Sequence, residues 1–341
     1  MELQIIWFFL WGLLWAIFFM TDGFDFGIGA LIPFLARSET DKKQMIDSMG
    51  PLWDGNEVWL ITAGGVTFAA FPALYATMFS SFYSALMFIL FALIFRGVAM
   101  EFRNLLADDY WKNIWDLAIF IGSILPAILF GVAFANIFQG VPIDAHGVYH
   151  GNLFTLINTY GLIGGLFFLA LFLEHGALWL VVKTTGDLEA RCVKIAGVLW
   201  WAVLVMVLVF LAATWFHTRL FANYLASPLL LLLPAMIVAA LWQVRVFTGK
   251  RKAMHAWLSM AVVIMGCTFF GVIGLFPAML PTNIEGGAGL TAFNASSSPL
   301  TLKIMLVVTI IFIPLVIGYQ IWAYRLFSGK VETGEENAGG Y

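Results

Sequence analysis

Residues 5–36 read IIWFFLWGLLWAIFFMTDGFDFGIGALIPFLA. The only charges in this stretch are Asp22 and Asp25. About 20 apolar residues in a helix cross the hydrocarbon core of a bilayer. At about 1.5 Å per residue, these 32 would reach about 48 Å. The segment therefore tilts, breaks or runs beyond the lipid. The preceding Met1-Glu2-Leu3-Gln4 lacks the basic start of a cleaved signal peptide, and no small-residue cleavage site follows, so a retained first helix is expected.

Working outward, further apolar segments fall at 54–72, 77–97, 114–138, 160–182, 195–216, 222–244, 256–280 and 302–326. With the first they make nine. The chain is 62% hydrophobic and 11% charged, where a soluble domain carries roughly 25% charged residues. An all-α integral membrane protein with nine transmembrane helices in one polytopic domain, 1–341, is expected. Basic residues fall in every second gap. Arg37, Lys42 and Lys43 follow the first segment, Arg96, Arg103 and Lys112 the third, and Lys183, Arg191 and Lys194 the fifth. Arg245, Lys250, Arg251 and Lys252 follow the seventh, and Arg325 and Lys330 the last. Of the 17 Lys and Arg, only Arg219 and Lys303 lie on the other side. The positive-inside rule then sets the N-terminus outside and the C-terminus in the cytoplasm. A net charge of −3 offers no nucleic-acid footprint.

Carboxylates inside a membrane are costly and usually face protein or water. Asp22 and Asp25 are spaced i, i+3 and share a helix face, while Gly23 and Gly27 form a G-x-x-x-G pair that admits a close neighbour. The second segment opens Trp53-Asp54-Gly55-Asn56-Glu57-Val58-Trp59, where Asp54 and Glu57 repeat the i, i+3 spacing. The topology brings Asp22, Asp25, Asp54 and Glu57 to the cytoplasmic side of two adjacent helices. Such a row of acids suits a proton path, because burial and like charges let carboxyls hold and release protons. Two simpler roles compete. Asp54 and Glu57 can cap their helix, and Asp22 and Asp25 can bond backbone or an Arg of another span. Glu101, between Arg96 and Arg103, reads as a charge-paired helix end.

The histidines offer little ligand chemistry. His146 and His150 lie in an outer loop, 139–159, with no third ligand for a metal. His217 and His255 stand at helix ends. His175 alone sits within a span, next to Glu174 with which it would pair, and one buried His does not hold a pair of membrane haems. No catalytic, haem-binding or metal-binding residue is expected. Cys192 and Cys267 are far apart and form no evident disulfide or metal motif. The second outer loop, 281–301, is rich in Gly, Ala, Ser, Thr and Asn, and the tail after Arg325 reads as loose. Trp53 and Trp59 fit the aromatic belt at the membrane boundary, with a quinone or lipid contact as the alternative.

At these motifs the sequence resembles subunit II of cytochrome bd-type quinol oxidases along nearly its whole length. The resemblance is carried by Thr21-Asp22-Gly23-Phe24-Asp25, by Trp53-Asp54-Gly55-Asn56-Glu57-Val58-Trp59-Leu60, by Phe95-Arg96-Gly97 with Glu101-Phe102-Arg103, by Gln139-Gly140-Val141-Pro142 and by Pro299-Leu300-Thr301-Leu302. It implies two four-helix bundles plus one peripheral helix in a bacterial inner membrane. It also implies a partner subunit I that holds two b-type haems, one d-type haem and the quinol site. The complex would reduce oxygen to water with electrons from quinol and protons from the cytoplasm, with Asp54 on the proton path and Trp53, Asp22 and Asp25 in the same region. A small single-helix subunit is compatible with this. Position 57 is Glu where some members carry Gln. The residues alone also allow a secondary transporter with a carboxylate-lined ion site, although the second half shows no counterpart of Trp-Asp-Gly-Asn.

Overall fold

A computed structural model describes residues 1–331. The long first segment runs as one helical stretch of 34 residues, Glu2–Leu35. α1 (Glu2–Thr21) and α2 (Gly23–Leu35) meet at Asp22, whose backbone stays in the right-handed helical region (φ −83°, ψ −16°), and the bonds Asp22 N to Phe18 O and Phe26 N to Asp22 O run across the joint. A short polar helix, α3 (Glu39–Met49), is capped by Ser38, whose hydroxyl accepts from Asp41 N. α4 (Trp53–Ala70) follows. The Phe71–Pro72 step ends it and starts α5 (Pro72–Ser81), because Pro cannot continue a helix but suits a first turn. The chain then forms α6 (Tyr83–Phe102), α7 (Asp109–Gln139), α8 (Leu153–Leu156), α9 (Thr159–Lys183), α10 (Gly186–His217) and α11 (Phe221–Ala226). α12 (Leu232–Gly249), α13 (Ala253–Leu275) and α14 (Pro299–Leu326) complete it.

Among the described residues, 8 helical segments are long and apolar enough to cross a membrane, counting α1 with α2 as one. The expected second span is not among them. It corresponds to α4, whose 18 residues spend Asp54, Asn56 and Glu57 in the first turns and so fall short in apolarity.

α9 is central. It packs against α2, α7, α10 and α13, and α1 packs against α4 and α13. The α2–α9 contact is backbone on backbone. A Cβ on Gly27 would lie 1.9 Å from the Phe172 carbonyl oxygen, and one on Gly176 would lie 2.6 Å from the Gly27 carbonyl carbon. The Gly23/Gly27 pair therefore does what its spacing predicts. α14 is the opposite case, with Leu302 its one buried residue.

The loops at the far end from Arg37, Lys42 and Lys43 are stitched together. Val141 N donates to Pro281 O at 3.0 Å, Asn283 Nδ2 to Gly140 O at 3.0 Å and Thr282 Oγ1 to Ile143 O at 2.8 Å. Loop 281–301 also carries β2 (Leu290–Thr291), antiparallel to β1 (Ala278–Leu280). At the basic end, residues 327–331 are tied down rather than loose. Lys183 Nζ donates to the carbonyls of Phe327 and Gly329, Val331 N to Lys183 O, and Lys330 pairs with Glu189 at 2.6 Å. The rest of the tail, 332–341, lies outside the described residues.

Candidate functional site

The inward stripe of α4 is Asn56, Trp59, Ala63, Thr67 and Ala70, spaced three or four residues apart. At about 100° per residue, Glu57 falls on the flank of that stripe and Asp54 nearly opposite Asn56. This decides which acids meet. Asp22 and Asp25 are fully buried on the α1–α2 segment, Glu57 is part-exposed and Asp54 is exposed.

Arg96 joins two of them, Asp22 and Glu57. Arg96 lies not in the gap after the third apolar segment but inside α6, where it is 0% exposed. Its Nη2 donates to Asp22 Oδ1 at 2.8 Å and to Glu57 Oε1 at 2.5 Å, and its guanidinium lies 4.4 Å from the centre of the Phe26 ring. Asp25, one helical turn beyond Asp22, accepts from Asn56 Nδ2 at 2.7 Å. Asn56 Oδ1 in turn accepts from Tyr324 Oη at 2.8 Å and from Gln320 Nε2 at 3.4 Å, both on α14. Four polar atoms of the cluster, Asp22 Oδ2, Asp25 Oδ1, Arg96 Nε and Arg96 Nη1, have no partner among the described residues.

Asp54 does not join this cluster, and the four-acid convergence becomes a three-acid one. Nor does Asp54 cap its helix: the N-cap residue is Leu52, with no side-chain capping bond. Glu101 is exposed and makes no ion pair among the described residues. Arg103, expected beside it, turns instead to Asp116 at 2.5 Å and Glu39 at 2.8 Å.

The two tryptophans separate. Trp59 is 2% exposed, so it is not a belt residue, and its indole N–H donates to Gln320 Oε1 at 2.8 Å. Trp53 is half-buried, its ring against Gly97 of α6. Trp59 faces a mostly apolar cleft of about 640 Å³ between the α1–α2 joint, α9, α13 and α14, whose walls include Thr21, Trp179, Trp257, Gln320 and Tyr324.

His175 and Glu174 do not pair. His175 Nε2 lies 3.0 Å from the Met20 carbonyl, just before the α1–α2 joint, and its ring stacks on Trp257 at 5.1 Å. Its other ring nitrogen, Nδ1, has no partner among the described residues. Both Glu174 carboxylate oxygens lack partners among the described residues. In the outer loop, Asp144 takes the His150 ring Nε2 at 2.8 Å together with the backbone N–H groups of His146 and Val148. No group of three or more His, Cys, Asp or Glu able to hold a metal occurs among the described residues. Cys192 and Cys267 are both free.

Sequence reasoning missed the central role of Arg96 and the parts of Asn56, Gln320 and Tyr324. A lone Arg inside an apolar run was the available signal for the first, since such a charge requires a buried partner. Nothing local marks Gln320 and Tyr324, which are 264 and 268 residues from Asn56.

Comparison with known proteins agrees over nearly the whole length. The family described as cytochrome bd terminal oxidase subunit II matches residues 3–327. The cytochrome bd ubiquinol oxidase subunit 2 of Bacillus subtilis (strain 168) is 37% identical over 340 residues, covering 98% of each chain. The cytochrome bd-I ubiquinol oxidase subunit 2 of Escherichia coli (strain K12) is 34% identical over 363 residues, covering 96% of this chain and 95% of the relative. A chain in the structure of bd oxidase from Geobacillus thermodenitrificans superposes with a TM-score of 0.80 at 15% identity, covering 96% of this chain and 99% of that one, which speaks for the fold.

Proposed function

Because the chain belongs to the cytochrome bd terminal oxidase subunit II family, and so to a membrane-bound oxidoreductase complex, we propose that it is the haem-free subunit of an oxidase that passes electrons from quinol to oxygen and forms water. In this reading subunit I carries the two b-type haems, the d-type haem and the quinol site. The present chain supports subunit I and lines a cytoplasmic proton path. It crosses the inner membrane nine times, with α4 as the second span, the N-terminus outside and the C-terminus inside. The cleft beside Trp59 is where a quinone or lipid contact would fall.

One observation supports the proton role above the rest: two carboxylates bond a single buried guanidinium, and a third, Asp25, lies one helical turn from Asp22 and is held by Asn56. Burial opposes the excess negative charge, and a cluster that can take up a proton relieves it. Glu57, part-exposed and bonded to Arg96, links the interior to the face on which Asp54 stands exposed. Protons collected at Asp54 would pass by way of water and Glu57 to Asp22 and Asp25.

Asp54→Asn tests this cleanly, because Asp54 makes no cap whose loss could confuse the result. The complex should assemble with its full haem complement and consume oxygen roughly tenfold more slowly or worse. Parental rates from acid to alkaline pH would remove Asp54 from the path.

A further inference from the structure

Two amides join α14 to the acid cluster, and their donor–acceptor order is fixed from the outside. An indole N–H can only donate, and a backbone carbonyl can only accept. Trp59 Nε1 donates to Gln320 Oε1 at 2.8 Å, while Gln320 Nε2 lies 3.4 Å from Gly55 O. Both ends of the Gln320 amide are thereby pinned, and its NH₂ group is presented to Asn56. Asn56 must answer with Oδ1, at 3.4 Å, which turns Nδ2 onto Asp25 Oδ2 at 2.7 Å. The Tyr324 hydroxyl, 2.8 Å from Asn56 Oδ1, can donate or accept and so does not choose the direction. Without Gln320, ionised Asp25 still holds the Asn56 N–H, but once Asp25 is protonated the amide is free to reverse, with Oδ1 accepting the acid proton and NH₂ turned to Tyr324.

We propose that Trp59 and Gln320 are positioning residues for Asp25: they fix the Asn56 amide so that Asp25 Oδ2 is occupied by an N–H donor and Oδ1 alone takes up and releases the proton. α14 is exposed along nearly its whole length, and these amides give its inward polar side chains a task beyond docking. The proposal rests on the proton role of the cluster and names the atom that performs it.

The test uses the whole oxidase complex. The infrared carboxyl and carboxylate bands lost in Asp25→Asn report Asp25, and their pH titration is followed in variants. Gln320→Leu and Trp59→Phe should each move the midpoint in the same direction, by roughly half a unit to one unit, the size of one hydrogen bond. Leu302→Ala loosens the other end of α14 without touching an amide and should leave the midpoint in place. Unmoved midpoints in Gln320→Leu and Trp59→Phe, in complexes with normal haem content, overturn the proposal. An equal shift in Leu302→Ala also overturns it, since helix docking would then be the cause. Oxygen consumption of Asp25→Asn at the parental rate would instead overturn the proton role, and the infrared titration would still decide the amide order.

Discussion

The Arg96 guanidinium satisfies Asp22 and Glu57 with one nitrogen and covers the Phe26 ring with its face. Removing it leaves buried acids with no cation. Breaking a buried pair in this way costs about 3–5 kcal/mol, so Arg96→Gln should sharply reduce the yield of assembled complex, read as haem per membrane protein. Asp22→Asn in the Arg96→Gln background removes one of the stranded acids and should recover part of the yield. No recovery would mean that the arginine matters for packing rather than charge. At the opposite end of the molecule, the hydrogen bond from His150, with backbone N–H groups of Val148 and His146, holds the Asp144 carboxyl down to about 2. A depressed folded-state value stabilises the loop above the ordinary carboxylate range, and that support fades as pH falls toward 2. Amide exchange in loop 142–150 should therefore quicken on acidification. In Asp144→Ala it should already be quick at neutral pH, and slow exchange in that variant would show the loop to be held by other contacts.

Between elements, the tightest constraint is the crossing of α2 on α9. Only glycine fits at Gly27 and Gly176, because the atoms a methyl would meet are backbone. Overpacking typically costs about 1–3 kcal/mol, and more when nothing flexible can move aside. Gly27→Ala should lower the thermal stability of the complex and, by shifting α2, disturb the Asp25–Asn56 bond. Gly65→Ala, on a site with open space around it, is the matched control. Equal stability of the two variants would refute the close-packing argument. His175 works at the same scale, with its Nε2 on the Met20 carbonyl beside the α1–α2 joint. His175→Ala should loosen that joint while leaving the haem spectrum of the complex intact, and loss of any one haem's bands from an assembled complex would contradict this.

Reporter fusions after Tyr110, Ala190 and Lys252 should read as cytoplasmic, and those after Val148 and Leu290 as external. A cytoplasmic signal at Val148 would invert or renumber the map. Haem absorption should appear when this chain is purified with co-expressed subunit I and not when it is purified alone. Haem bands in the isolated chain would end the haem-free reading. The large apolar surface of α6, α10, α12 and α14 is exposed, which suits contact with lipid or another subunit.

The membrane class, the helical fold and the family were legible in the sequence. They depend on composition, on runs of about 20 apolar residues and on contiguous motifs such as Trp53–Leu60, all of which are local. The Gly23/Gly27 approach was legible for the same reason, since small residues one turn apart define a face whatever packs on it. The membership of the acid cluster was not. The i, i+3 spacing puts Asp54 and Glu57 near one another, but only the rotation of α4, set by burying Asn56 and Trp59, turns Glu57 toward Arg96 and Asp54 away. The burial of Arg96 and the pairing of Asn56 with Gln320 and Tyr324 depend likewise on which faces of distant helices meet. A sequence records the spacing of residues along each helix. The angle at which each helix is turned about its axis is decided by packing, and that angle selects which of the four acids share one guanidinium.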